Sequence, residues 1–157
     1  MSLDIATYRA SEFVIRPIRP EDVPALMSLY ELCFKARLPE KYIRWRYFNT
    51  PVGPTPTVLA FDKNICVASY AVWPTPMMLD GKEVMGALGM DAMTHPDYRR
   101  QGLFLQLAEK CYGLLSKSGY QFLYGYAGEE SYPGGIRRLN WDHVCDISHW
   151  VRPIWIF

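Results

Sequence analysis

"THPDYRRQGLF", residues 94–104, decides how this chain is read, because here an apolar strand gives way to a helix through two arginines, a glutamine and a glycine. Upstream, "MMLDGKEVMGALGMDAMT" (77–94) has β character with Asp80-Gly81 as a hairpin turn. Downstream, "GLFLQLAEKCYGLLSKSG" (102–119) sets Phe104, Leu107, Ala108, Cys111, Leu114 and Leu115 on one helical face and Gln106, Glu109, Lys110 and Lys117 on the other, with Gly119 as a stop. The first turn of a helix offers unpaired N–H groups and the positive end of the macrodipole, which suits an anion. Gly102 lets a phosphate approach the backbone with no Cβ in the way, and Arg99 and Arg100 can add charge-assisted hydrogen bonds from the rim. These features specify a pyrophosphate cradle; a solvated turn in which Gly102 only starts the helix is the alternative. Neither GxxxxGK[ST] nor GxGxxG occurs.

Working outward, "FVIRPIRPEDVPAL" (13–26) begins as a strand over Phe13 to Pro17, and Pro20, Glu21 and Asp22 form the acidic first turn of a helix. That helix carries Val23, Leu26, Met27, Tyr30 and Phe34 at helical spacing. A second helix over Glu40 to Phe48 ends in the breaker-rich "NTPVGPTPT" (49–57). "TVLAFD" (57–62) and "ICVASYAVWP" (65–74) are strands that make an antiparallel meander with the one before the arginine turn. Beyond the long helix, "YQFLYGYA" (120–127) is a strand, "EESYPGGIRRLNW" (129–141) a loop and short helix, and "DHVCDISHWV" (142–151) a final strand.

The order strand, two helices, three strands, helix, strand, helix, strand gives an α/β fold with a mixed sheet in a single domain over residues 13–157, after a tail over 1–12. "HWVRPIWIF" (149–157) leaves room for a short seventh strand, and its bulky apolar ending needs covering, for which a homodimer through this end is the preferred expectation.

At 157 residues with 50% hydrophobic and 15% aromatic content, the chain can bury a substantial core. Seventeen basic against 16 acidic residues leave a net charge of +1 without runs of either sign, which argues against nucleic acid as a partner. Cys33, Cys66, Cys111 and Cys145 are scattered with no metal-ligand spacing and read as free thiols suited to a reducing compartment. His143 and His149 lack partners at metal spacing, so no metal is expected. With no signal-peptide core and no membrane-length apolar stretch, the expectation is a cytoplasmic protein with no membrane partner.

The arginine turn resembles the GCN5-related N-acetyltransferase (GNAT) superfamily, whose motif [Q/R]-x-x-G-x-[G/A] is matched at Arg99 and Gly102, while Phe104 departs from the usual Gly or Ala. The preceding "MTHPDYRRQG" (93–102) and the element order from Phe13 to Arg152 are similar to that superfamily. The resemblance implies acetyl-CoA with its pyrophosphate on backbone N–H groups of Arg100, Gln101, Gly102, Leu103 and Phe104, beside Arg99, and its pantetheine arm paired with the backbone of Ala92, Met93 and Thr94. It implies an N-acetyltransferase acting on an amine: an amino sugar, a small amine or amino acid, or a protein amine. A non-catalytic CoA-binding or ligand-sensing module is the alternative.

Acetyl transfer to an amine needs a neutral nucleophile and a protonated leaving sulfur; with an ammonium pKa near ~10 and a thiol near ~8.5, a base and an acid each help. Asp91 is the only charged side chain between Val84 and Thr94, so it is the candidate base, a partly desolvated carboxylate; a satisfied carboxylate that anchors a loop is the alternative. His95, before Pro96, serves the turn. The tyrosine that many superfamily members use as acid falls at Ile136 here, so Tyr132, one helical turn earlier, is its substitute, with Tyr126 behind it. Glu129 stands where the superfamily often has an asparagine, and with Glu130 it could attract a cationic amine. Tyr42, Trp45 and Phe48 recur at helical spacing and suit a helix that packs on the sheet and lines the acceptor cleft, with Arg44 and Arg46 at its solvated edge or in contact with acceptor.

Overall fold

The computed structural model describes residues 13–147. Packing divides the chain into two compact units, one up to Tyr126 and one from Ala127. The first holds a five-stranded sheet in the order β1 (Val14–Pro17), β2 (Thr57–Asp62), β3 (Ile65–Leu79), β4 (Lys82–Thr94), β5 (Phe122–Gly125). Neighbours are antiparallel except β4 and β5, which are parallel and joined through the helix between them.

Local chemistry explains the frame. Asp80 and Gly81 both take positive φ, 50° and 75°, the turn whose twist suits a two-residue hairpin, and Leu79 pairs with Lys82 across it. Helix α1 (Val23–Phe34) follows a 3-10 turn over Pro20–Asp22, and α2 (Glu40–Phe48) follows after a short link. Both lie on one face of the sheet, where Leu26, Leu29, Ile43 and Tyr47 pack with Leu59, Phe61, Ala71 and Met93. Helix α3 (Leu103–Lys117) takes the other face, burying Leu103, Leu107, Ala108, Cys111 and Leu115; of the stripe its periodicity predicts, Phe104 and Leu114 are half-buried, and Leu103 is added. Tyr70, adjacent to Ala71 and so on the opposite face of β3, meets the rings of Phe104 and Tyr112.

Gly119 closes α3 as expected. It sits at φ 78°, its N–H donates to the carbonyl of Ser116, and the N–H of Tyr120 reaches back to Leu115. Gly86 in β4 is required by a close approach, since a Cβ there would lie 2.9 Å from the Phe122 ring.

The outer half of β3, Trp73 to Leu79, runs beyond the reach of β2 and, among the described residues, pairs only with β4. Val72 still donates its N–H to Pro56, so by the alternation of a strand the nitrogens of Pro74 and Pro76 face the same open edge.

The second unit contains α4 (Tyr132–Arg138), and the N–H of Trp141 donates to Gly135 behind it. The strand expected over 142–151 is not formed in its described part: residues 141–147 belong to no regular element. Val144 is 90% exposed, so the alternating pattern finds no face on which to bury. Its remainder, the tail over 1–12, the short seventh strand and the C-terminal pairing surface lie outside the described residues. No helix among the described residues is long and apolar enough to cross a membrane.

Candidate active site

The β3–β4 ladder runs from the hairpin turn to Ala71↔Met90 and resumes at Ser69↔Met93, so Asp91 and Ala92 together oppose Tyr70 alone. This is a β-bulge, and it holds Asp91 at φ 46°, in a region that side chains seldom occupy. Strand β5 stops short of it, the last pair being Gly89↔Gly125. From Met90 to Thr94, therefore, β4 has no ladder partner on its β5 side among the described residues, and Ala92 on this stretch is exposed.

The open edge leads into the arginine turn. The N–H of His95 donates to Val67 at 2.8 Å, Nδ1 of His95 accepts from the N–H of Asp97 at 3.2 Å, and the Tyr98 hydroxyl donates to Asp62 at 2.7 Å. His95 thus serves the turn. Arg100 takes φ 62° and Gly102 φ 74°, and Gly102 is the N-cap of α3 with no side chain capping it. Its carbonyl accepts the first helical bond, from Gln106. The amides of Leu103, Phe104 and Leu105 consequently have no acceptor within the helix. Arg99, Arg100 and Gln101 are exposed around this end, and Nε of Arg99 donates to the Thr94 carbonyl at 3.4 Å. Phe104 packs on Tyr70 with ring centroids 5.8 Å apart, which makes it a core residue of the helix and turns it toward the sheet. The bare amides and the unpaired edge fit an extended ligand with an anionic end.

Asp91 is not alone. Nε and Nη2 of Arg46 donate to its two oxygens at 2.8 and 3.2 Å, and the Tyr47 hydroxyl donates to Oδ2 at 2.8 Å. Of the two readings of Asp91, partly desolvated base or satisfied anchor, these contacts match the satisfied carboxylate, because α2 delivers the donors across the α1–α2 face of the sheet. Burial works against the charge on Arg46, but the bonds and charge of Asp91 more than offset it and raise its pKa. For Tyr47, which is fully buried, burial and then Asp91 both push the phenol up, so it stays a donor. The sequence offers Arg46 as a solvated edge or an acceptor contact and does not single out Tyr47; separations of 45 and 44 residues give no local signal.

The thiols are accounted for. Burial pushes Cys111 up to about 12, and it packs within α3, so it is no covalent nucleophile. Cys33 on α1, also raised chiefly by burial, donates to the Thr94 carbonyl at 3.6 Å. Tyr132, in the second unit, is 41% exposed and its hydroxyl lies 3.2 Å from Nδ1 of His143. Tyr126 is 71% exposed, and Glu129 and Glu130 are also exposed. No cluster of metal-ligating side chains occurs among the described residues.

The frame of the site is thus a five-stranded mixed sheet in which β5 stops short along β4 and a glycine-started helix joins the two. The acetyltransferase (GNAT) domain profile matches residues 14–144, and the chain belongs to that family. Solved structures agree on the fold. A Trypanosoma brucei acetyltransferase is 16% identical with a TM-score of 0.69, over 90% of this chain and 100% of that one. A glucosamine-6-phosphate N-acetyltransferase from Arabidopsis thaliana is 12% identical with a TM-score of 0.70, over 90% and 100%. The aminoglycoside N-acetyltransferase AAC(6')-Iy, in complex with CoA, is 12% identical with a TM-score of 0.69, over 92% and 97%. A search of curated protein sequences finds no match.

Proposed function

We propose that this protein transfers an acetyl group from acetyl-CoA to an amine, with both substrates held together on the sheet. The observation that carries the reading is the junction of the unpaired β4 edge, Met90 to Thr94, with the uncapped start of α3 at Gly102. In this reading the amides of residues 100–104 grip the pyrophosphate, Arg99 and Arg100 attract it from the rim, and the backbone of Ala92 to Thr94 pairs with the pantetheine arm. The Thr94 carbonyl is already engaged by Cys33 and Arg99, which leaves Ala92 and Met93 as the freer partners. When bound, acetyl-CoA supplies the activated acyl group.

The acceptor is an amino sugar, a small amine or amino acid, or a protein amine; the CoA complex and the amino-sugar enzyme among the structural neighbours support an amine acceptor. Tyr132, bonded to His143, is the candidate acid for the departing sulfur. Asp91 was the candidate base on sequence; with both oxygens engaged by Arg46 and Tyr47, an anchoring role has the stronger geometric support.

Release of CoA thiol is to be followed with an amino sugar, a polyamine, an amino acid and a lysine peptide. Acetyl-CoA at ~100 times its dissociation constant should add ~2.7 kcal/mol of stability. Stabilisation with no thiol release from any amine would favour the ligand-sensing module instead. Absence of both would end the reading.

A further inference from the structure

The bulge in β4 turns its backbone in an uncommon way. Asp91 sits at φ 46°, a left-handed conformation that aspartate takes more readily than most side chains but that strand residues rarely adopt. What holds it there matters to the edge that follows. Here the enforcing groups are visible: the forked guanidinium of Arg46 and the phenol of Tyr47 converge on one carboxylate whose side chain is 9% exposed.

The donors are themselves held. The carbonyl of Arg46 accepts from the Thr55 hydroxyl at 2.7 Å, and that of Tyr47 from the Thr55 N–H at 3.0 Å. Nη2 of Arg46 also lies 3.2 Å from the Met90 sulfur, and its guanidinium sits 5.6 Å from the Trp73 ring centre. Helix α2, strand β3 and the residue before the bulge thus grip the same point.

What the clamp fixes is backbone. The residues it holds, Asp91 and the exposed Ala92, begin the edge that β5 leaves unpaired. We infer that Arg46 and Tyr47 are positioning residues for acyl transfer: by tying Asp91 in its left-handed conformation they hold the open edge of β4 in the geometry that receives the pantetheine arm. This rests on the function proposed above. It assigns Asp91 to structure at the reacting edge, with its proton affinity incidental.

The two roles of Asp91 give opposite mutational patterns. Asparagine tolerates positive φ and its one amide oxygen can still accept from Tyr47 and one arm of Arg46, but it gives up the ion pair and the second arm of the fork, and it cannot take a proton near neutrality. Positioning therefore predicts that Asp91→Asn loses less kcat than Asp91→Ala and keeps the wild-type pH profile. Asp91→Ala, Arg46→Met and Tyr47→Phe should each lose kcat, on the order of 10²-fold for the most severe, because displacing a bound reactant by about 1 Å costs that much. Arg46→Lys should recover little, since a single ammonium cannot make the fork.

The experiment measures kcat, KM for acetyl-CoA and the pH dependence of kcat for these five variants, after thermal melts confirm that each is folded. Arg46→Met supplies the answer if Tyr47→Phe, at a fully buried site, fails to fold. Wild-type rates in both Arg46→Met and Tyr47→Phe would overturn the inference while leaving the function intact. So would an Asp91→Asn enzyme as slow as Asp91→Ala with the acidic limb of its pH profile abolished, which would make Asp91 the base. A wild-type chain that neither binds nor consumes acetyl-CoA would remove the function and this inference with it.

Discussion

The starts of α1 and α3 both lack a side-chain cap on their own amides, and they differ in what the chain sets beside them. Each helix comes after a proline-led 3-10 turn, and each leaves amides that its own ladder cannot satisfy. Before α1, Asp22 folds back to accept the N–H of Arg19 at 2.7 Å and is gripped by both ends of the Arg16 guanidinium at 2.6 and 2.7 Å, with the pair covered by protein. Before α3 a glycine stands bare and the surrounding polar groups are exposed. One start is braced by a covered ion pair. The other has a glycine and exposed polar groups beside its amides, an arrangement that suits the anion proposed for it.

That contrast can be broken by mutation. Gly102→Glu puts a Cβ at φ 74° and a negative charge among the bare amides, so acetyl-CoA affinity should fall on the order of 10²-fold by isothermal titration, equivalent to about 2.7 kcal/mol. If affinity is unaltered, the amides at this end hold no phosphate and the two helix starts do not differ in function. Asp22→Ala should do the reverse: stability falls by about 1.5–3 kcal/mol in urea titrations, as for loss of hydrogen bonds to a charged group, with cofactor affinity unchanged.

Acid sharpens the same point. The hydrogen bonds from Arg16, and with them the Arg19 amide, outweigh burial and hold the Asp22 carboxyl below its ordinary range. Its stabilisation is therefore complete above the unfolded value near ~4 and is lost as pH falls through the lowered folded value. The stability difference between wild type and Asp22→Asn should shrink over that acidic window; a constant difference would show that the pair contributes nothing.

Smaller effects follow at the closed and peripheral positions. Gly119→Ala, at the sealed far end of α3, should cost roughly 1–2 kcal/mol of stability and leave cofactor binding alone. Arg100→Ala should weaken acetyl-CoA binding by ~0.2–1 kcal/mol, an effect that fades with added salt as expected for an exposed charge.

Much of the first unit was legible because its signals are local. Asp80-Gly81 states its own turn, the α3 stripe repeats within a few residues, and Gly119 needs only its neighbours to cap a helix. The arginine turn could likewise be read from contiguous residues. The Asp91 clamp could not, since it joins α2 to β4 across 45 residues and depends on a bulge that periodicity does not reveal. Asp91 was identified as unusual for a sound reason, its solitude in an apolar strand, but sequence cannot show which distant cation will answer it. Over 142–147 the alternation of polar and apolar residues was present without a surface to pack on, and no strand resulted.

The two prolines in the outer half of β3 bear on how these molecules behave toward one another. A strand that projects past its neighbour would ordinarily invite a stranger's backbone to zip onto it. At Pro74 and Pro76 the visiting carbonyls would meet ring carbons in place of hydrogen, so this stretch of the projecting ribbon is a poor template for backbone pairing with another chain.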